Sequence, residues 1–184
     1  ATVGTLTISR AKIVKIPVPP IEEQREIVAV LDSAFAKIDD ALKNTRQNIT
    51  NADELFRSKL TQIFSNPDPS WQTKKLGEIG ENLDKRRVPI TKRDRKEGNV
   101  PYYGASGIVD YVDNYIFDEE LLLISEDGAN LLMRTYPIAF SVEGKTWVNN
   151  HAHVLRFNNK NTQKFTELYL NTIDLKNYIS GMAQ

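Results

Sequence analysis

Asp127, followed by Glu143-Gly144-Lys145, has the carboxylate, carboxylate, lysine outline with which a nuclease holds Mg²⁺ beside a scissile phosphate. The outline is short and common, and it stands as an alternative rather than the leading reading. Gly144-Lys145-Thr146 ends like a phosphate-binding loop, but that loop needs a glycine five residues before its second one, where this chain has Ala139. His151 and His153 alternate on one strand face and are candidate metal ligands, yet no third ligand stands at a persuasive spacing. With no cysteine in the chain, disulfides and thiolate metal sites are excluded. There is no nucleophile elbow and no Asn-Pro-Pro-aromatic methyltransferase signature. These absences favour a binding protein without catalysis, and neither a cofactor nor a metal is expected.

Residues suited to holding a polyanion are better represented. The chain balances 24 basic against 24 acidic residues, but the average conceals opposite patches. KRRVPITKRDRK, from Lys85 to Lys96, carries seven basic residues against Asp94 alone. From Glu97 to Met133 there is no Lys or Arg, and eight acids appear. A local basic patch on a neutral protein suits a defined polyanion contact better than general stickiness. Lys85, Arg86, Arg87, Lys92, Arg93 and Arg95 can neutralise phosphates, and a well-placed Arg can pair bidentately with guanine. Tyr102, Tyr103 and Ser106 place aromatics and a hydroxyl on a glycine-containing stretch; Lys145, Asn149, Asn150 and His151 add amides and an imidazole. Taken singly, each has an ordinary explanation: a charge run solubilises a loop, and Tyr103 and Trp147 pack more often than they stack on bases. As a cluster they favour a DNA-facing surface.

The elements that must carry these groups fall into three parts. Residues 5–18, TLTISRAKIVKIPV, are rich in β-branched side chains and predict a strand or extended arm. Pro17, Pro19 and Pro20 forbid a helix before them and favour one starting beyond. From Ile21 to Ser65 nothing forces the helix to stop, because no Gly or Pro occurs there. Glu22 and Glu23 complement the dipole at its start, and Asn66-Pro67-Asp68-Pro69 ends it. After a linker at 66–70, residues 71–184 predict a mixed α/β domain: a short helix or turn over 71–79, strands at 121–125, 136–141 and 151–157, and a helix over 164–179. The fold class expected is α+β, a globular domain plus one long helix.

The helix carries the clearest periodic signal. Steps of four and three from Leu31 reach Phe35, Ile38, Leu42, Thr45, Ile49, Ala52, Phe56, Lys59 and Ile63, so that eight of ten seam positions are apolar. A helix of 45 residues is roughly 67 Å long, more than a domain of about 115 residues can cover. A partner helix is therefore expected at Leu31, Phe35, Ile38, Leu42, Ile49, Ala52, Phe56 and Ile63. It must come from a second chain, since this one has a single such helix, and a coiled-coil protein-interaction module is accordingly a further alternative. No apolar run approaches the length that spans a bilayer and no signal peptide opens the sequence, which predicts a soluble, cytoplasmic chain with no membrane partner.

IPVPPIEEQREIVAVLD followed by a heptad helix resembles the spacer region of type I restriction-modification specificity subunits. VPYYGASGIVDYV, FDEELLLISEDGANLL and GKTWVNNHAHVLRF resemble segments of their target recognition domains. The resemblance implies a non-catalytic subunit that selects double-stranded DNA for separate adenine-methylating modification and restriction subunits. The family arrangement is recognition domain, helix, recognition domain, helix. Here the segment that closes a domain comes first, and joining Gln184 to Ala1 would give one uninterrupted domain end. The expectation is a circularly permuted half subunit in which residues 1–20 complete the recognition domain; a fragment of a full subunit is the alternative. Two antiparallel copies would hold two domains over the half-sites of an interrupted palindrome.

Overall fold

The structure, a computed structural model, describes residues 4–180. It divides into two compact units, the first ending at Glu54 and the second beginning at Leu55. The proposed junction of the two chain ends, at residues 1–3 and 181–184, lies outside the described residues.

In the first unit residues 4–20 form no strand, one of the two forms expected of them, the other being an extended arm. Ile8–Ala11 forms a single helical turn, α1, and the rest of 4–20 has no regular structure. A strand needs a neighbour for its N–H and C=O groups, and among the described residues neither sheet includes a strand from this segment. The turn satisfies part of the backbone internally, through Ala11 N–H to Thr7 O at 2.9 Å and Lys12 N–H to Ile8 O at 3.1 Å. Leu6, Ile8, Ile13, Ile16 and Val18 are all exposed.

The long helix, α2, runs Ile21–Ser65 over 45 residues, as the sequence predicts. Its start is fixed by the prolines: Pro20 O accepts the first helical N–H, from Gln24 at 3.0 Å, and the Gln24 side chain donates back to Pro19 O at 2.7 Å. Glu22 pairs with Arg25 at 2.8 Å on its first turns. No residue of the helix is buried, and the seam residues Leu31, Phe35, Ile38, Leu42, Ile49, Phe56 and Ile63 are 47–66% exposed.

The second unit is built on two four-stranded sheets. Glu81–Asn82 (β1), Ala152–Arg156 (β8), Leu121–Ser125 (β5) and Ala139–Val142 (β6) make an antiparallel sheet in the order β1-β8-β5-β6. Gly107–Val112 (β3), Glu97–Gly104 (β2), Lys145–Val148 (β7) and Phe117–Asp118 (β4) make a mixed one in the order β3-β2-β7-β4, with β2 and β7 parallel. LLLIS shows why β5 reads as one apolar run. Leu121 and Leu123 face a core shared with Phe117, Val148 and Val154, whereas Leu122 and Ile124 join Ala139 and Leu155 on the opposite face. That second face is covered by Leu76 of the short helix Leu76–Ile79 (α3) and Leu170 of Lys160–Thr172 (α5). On the mixed sheet, Val100, Tyr102 and Val112 pack beneath Ile90 and Trp147.

Several elements depart from the sequence reading. The last helix begins at Lys160, where the Asn159 side chain accepts from Asn161 N–H at 2.8 Å and Thr162 N–H at 3.1 Å, and it ends at Thr172 rather than Ile179. The segment read as a strand from Tyr136 narrows to β6, and a one-turn helix, Asn130–Met133 (α4), lies before it. Strand β2 was hidden by its Pro and glycines. Gly98 is required there, since a side chain would come within 2.3 Å of Val112 O where the β2–β3 register slips. The last turns of α2 pack into this unit through Phe64, whose ring meets Phe165 at 5.4 Å and Tyr169 at 5.1 Å edge-on, with Trp71 5.6 Å from Phe165.

Candidate nucleic-acid interface

The chain changes sheet between β7 and β8, and the residues that make the change are Asn149, Asn150 and His151. Two other turns meet them: the β2–β3 hairpin at Ala105-Ser106 and the loop after β5 at Glu126-Asp127-Gly128. Hydrogen bonds tie the three together. Asn149 N–H donates to Tyr103 O at 3.0 Å, Glu126 N–H donates to His151 O at 3.0 Å, and the Ser125 hydroxyl donates to Ala105 O. The buried Asn149 amide accepts from His151 N–H at 2.8 Å, so this residue braces the turn from inside. His151 Nδ1 lies 2.7 Å from Asp127 Oδ2, with both side chains half exposed.

This frame leaves some polar side chains unspent. Asn150 and Ser106 are exposed, and their side chains have no hydrogen-bond partner among the described residues. Gly107 and Gly128, at φ +123° and +90°, hold backbone turns that side chains rarely adopt. Tyr103 is half-buried against Phe140; burial pushes its hydroxyl pKa up and Tyr111 adds to the shift, so it remains a neutral donor.

The basic run proves heterogeneous. Arg87 is only 13% exposed and pairs with Asp84 at 3.5 Å and with Glu126. Arg95 is 18% exposed, lies 4.4 Å over the Tyr102 ring, donates to Ile90 O at 3.1 Å and pairs with Asp110 at 3.0 Å. Arg95 is the main reason the Asp110 carboxyl sits below the ordinary carboxylate value, with Tyr111 N–H assisting. Arg86 lies 4.5 Å over Phe117 and reaches Glu119 at 3.2 Å while staying half exposed. Tyr102 is a correction of a different kind. Its ring is 1% exposed and its hydroxyl accepts from Ile90 N–H at 3.0 Å, so it is core, not a base-stacking platform. Lys85, Lys92 and Arg93 remain exposed; Arg93 touches only its neighbour Asp94 at 3.3 Å. Lys145 is exposed and lies 4.8 Å over the Tyr115 ring.

The hydrolytic alternative does not assemble. In the β5–β6 register Ile124 faces Ala139 and Leu121 faces Val142. Asp127 follows the first end and Glu143 the second, with three rungs, roughly 10 Å, between them. Lys145 and Thr146 lie in a strand, where no helix N-terminus cradles phosphate. The two histidines go to different carboxylates, His153 Nδ1 lying 2.6 Å from Asp84. No group of three potential ligands that could hold a metal occurs among the described residues.

These features define a class: a two-sheet α+β domain presenting polar loops at one end of its strands, joined in sequence to a long helix with an exposed apolar seam. Residues 69–184 match the type I restriction modification DNA specificity domain, and the chain belongs to that family. A type I restriction enzyme specificity subunit of Haemophilus influenzae is 35% identical over 125 residues, which are 68% of this chain and 31% of the relative. Among solved structures, the HsdS subunit from Thermoanaerobacter tengcongensis has a TM-score of 0.51 at 17% identity, over 92% of this chain and 45% of that one. A chain from a structure of the type I R-M system has a TM-score of 0.52 at 16% identity, over 86% and 43%. The fold is thus that of the specificity subunits, and this chain spans less than half the length of each.

Proposed function

We propose that this chain reads one half of a bipartite DNA site, has no catalysis of its own, and positions the modification and restriction subunits of a type I system in the cytoplasm. Supporting this reading above all is the end of the two-sheet domain where the three turns meet. There the backbone groups of Asn149 and His151 are spent on the fold, while the Asn150 amide and Ser106 hydroxyl stay available for base edges. Lys85, Lys92 and Arg93 supply exposed charge for phosphates, and the half-exposed Arg86 can assist. The α2 seam pairs with a second copy and spaces the two half-sites.

The test is a salt titration of binding to duplex DNA. Affinity falls linearly on a log–log plot, and replacing both Lys92 and Arg93 with Ala flattens the slope by about 1.8, roughly 0.9 for each lost phosphate contact. A slope near zero for the unaltered chain would exclude a DNA surface, and an unchanged slope in the double variant would exclude this placement of it.

A further inference from the structure

We infer that Arg87 is a positioning residue for base recognition: it fixes the turn Asn149-Asn150-His151 from behind and makes no contact with phosphate. The inference rests on the DNA-reading proposal and deepens it. Arg87 Nη1 donates to Ala152 O at 2.9 Å and to Asn150 O at 3.4 Å, on either side of His151, and pairs with Glu126. Nε donates to Asp84 O at 3.2 Å. Glu126 in turn donates its own N–H to His151 O at 3.0 Å, closing a ring around the turn. Asp84 continues the brace into β8, accepting from Val154 N–H at 2.8 Å. One planar guanidinium therefore links the segment before β2, the loop after β5 and the sheet-changing turn.

The sequence run suggested the opposite role, since Arg87 stands beside Arg86 in a basic stretch. Its 13% exposure and two carboxylate neighbours leave little of its charge to offer a phosphate. With the Asn150 and Ala152 carbonyls both held by Nη1, the turn cannot rock, and the exposed amide of Asn150, which carries one of those anchors, keeps one orientation. Loss of these bonds should blur which base is accepted while leaving the electrostatic part of binding intact.

The decisive variant is Arg87→Lys, which keeps the charge but loses the Nε–H bonded to Asp84 O and is too short to carry its nitrogen to the Nη1 position. The full chain and the variant are each used to select from a random-sequence DNA duplex library, and affinity for an unselected duplex is titrated with salt. Expected is about a tenfold fall in the preference for the selected sequence, with the salt slope unchanged. Asn171→Ala serves as the comparison, because that side chain braces β6 through Ile138 N–H at 2.9 Å and Ala139 N–H at 3.1 Å, away from the turn. It should lower the melting temperature and leave the preference intact. Arg87→Lys retaining full preference, or Arg87→Ala flattening the slope by about 0.9, would overturn the assignment. An unaltered chain that enriches no sequence would instead overturn the DNA reading itself.

Discussion

Arg87 and Arg93 are the same residue type six positions apart, and burial gives them different work. The first is enclosed by two carboxylates and three carbonyls; the second is 89% exposed beside one acid. Asp84 belongs to the same brace. Burial would raise its pKa, but hydrogen bonds from Val154 N–H, the Asn82 amide and His153 outweigh this and hold it below the ordinary 3.8. A carboxyl depressed in the folded state adds stability that is complete above the unfolded pKa and is lost as pH falls through the folded one. Thermal melts should therefore weaken below about pH 4, and Asp84→Asn should melt lower at neutral pH with a flatter acid limb. Equal acid limbs would show that Asp84 does not carry the effect. Thr146 tests packing: its hydroxyl is buried with no partner among the described residues, so Thr146→Val should be neutral or stabilising by up to about 1 kcal/mol in denaturant melts.

At the scale of elements, α2 is the part most fully written in the sequence. Its bounds follow from Pro20 at one end and Asn66-Pro67 at the other, and its seam from heptad spacing, all of which are local. An exposed stripe of this kind in one chain is expected to pair in solution. Leu42→Asp combined with Ile49→Asp should turn a dimer into a monomer in sedimentation while leaving helical circular dichroism largely unchanged, because neither side chain is buried within the chain. An unaltered sedimentation coefficient would reject the seam as the interface. The strands were less legible. β5 could be read because it is buried on both faces, whereas β2, EGNVPYYG, carries Pro101 and three-dimensional requirements such as the close approach at Gly98 that no propensity records. Residues 5–18 show the converse: β-branched composition left a strand or an extended arm open, and the segment forms no strand.

For the molecule as a whole, the separation of Asp127 from Glu143 by the length of a hairpin argues against a one-chain nuclease. The purified chain with Mg²⁺ should leave duplex DNA uncut over hours, and reproducible cleavage would contradict the proposed role. Methylome sequencing of cells carrying the chain with a modification partner should return a bipartite motif whose halves match if two copies pair.

By itself, the sequence determined the α+β class, the span of the long helix and its apolar seam, since each depends on neighbours a few residues apart. It also held the segments that resemble the specificity family, and the match over residues 69–184 takes in those of the recognition domain. Tertiary structure alone decided which members of the candidate site are surface. Thirteen residues nominated by type separate into core, as for Tyr102 and Asn149, braces, as for Arg87 and Arg95, and exposed groups such as Lys92, Arg93, Ser106 and Asn150. Composition could not sort them, because a guanidinium's role is set by the acids and carbonyls that folding brings to it. For Arg87 those lie up to 65 positions away along the chain.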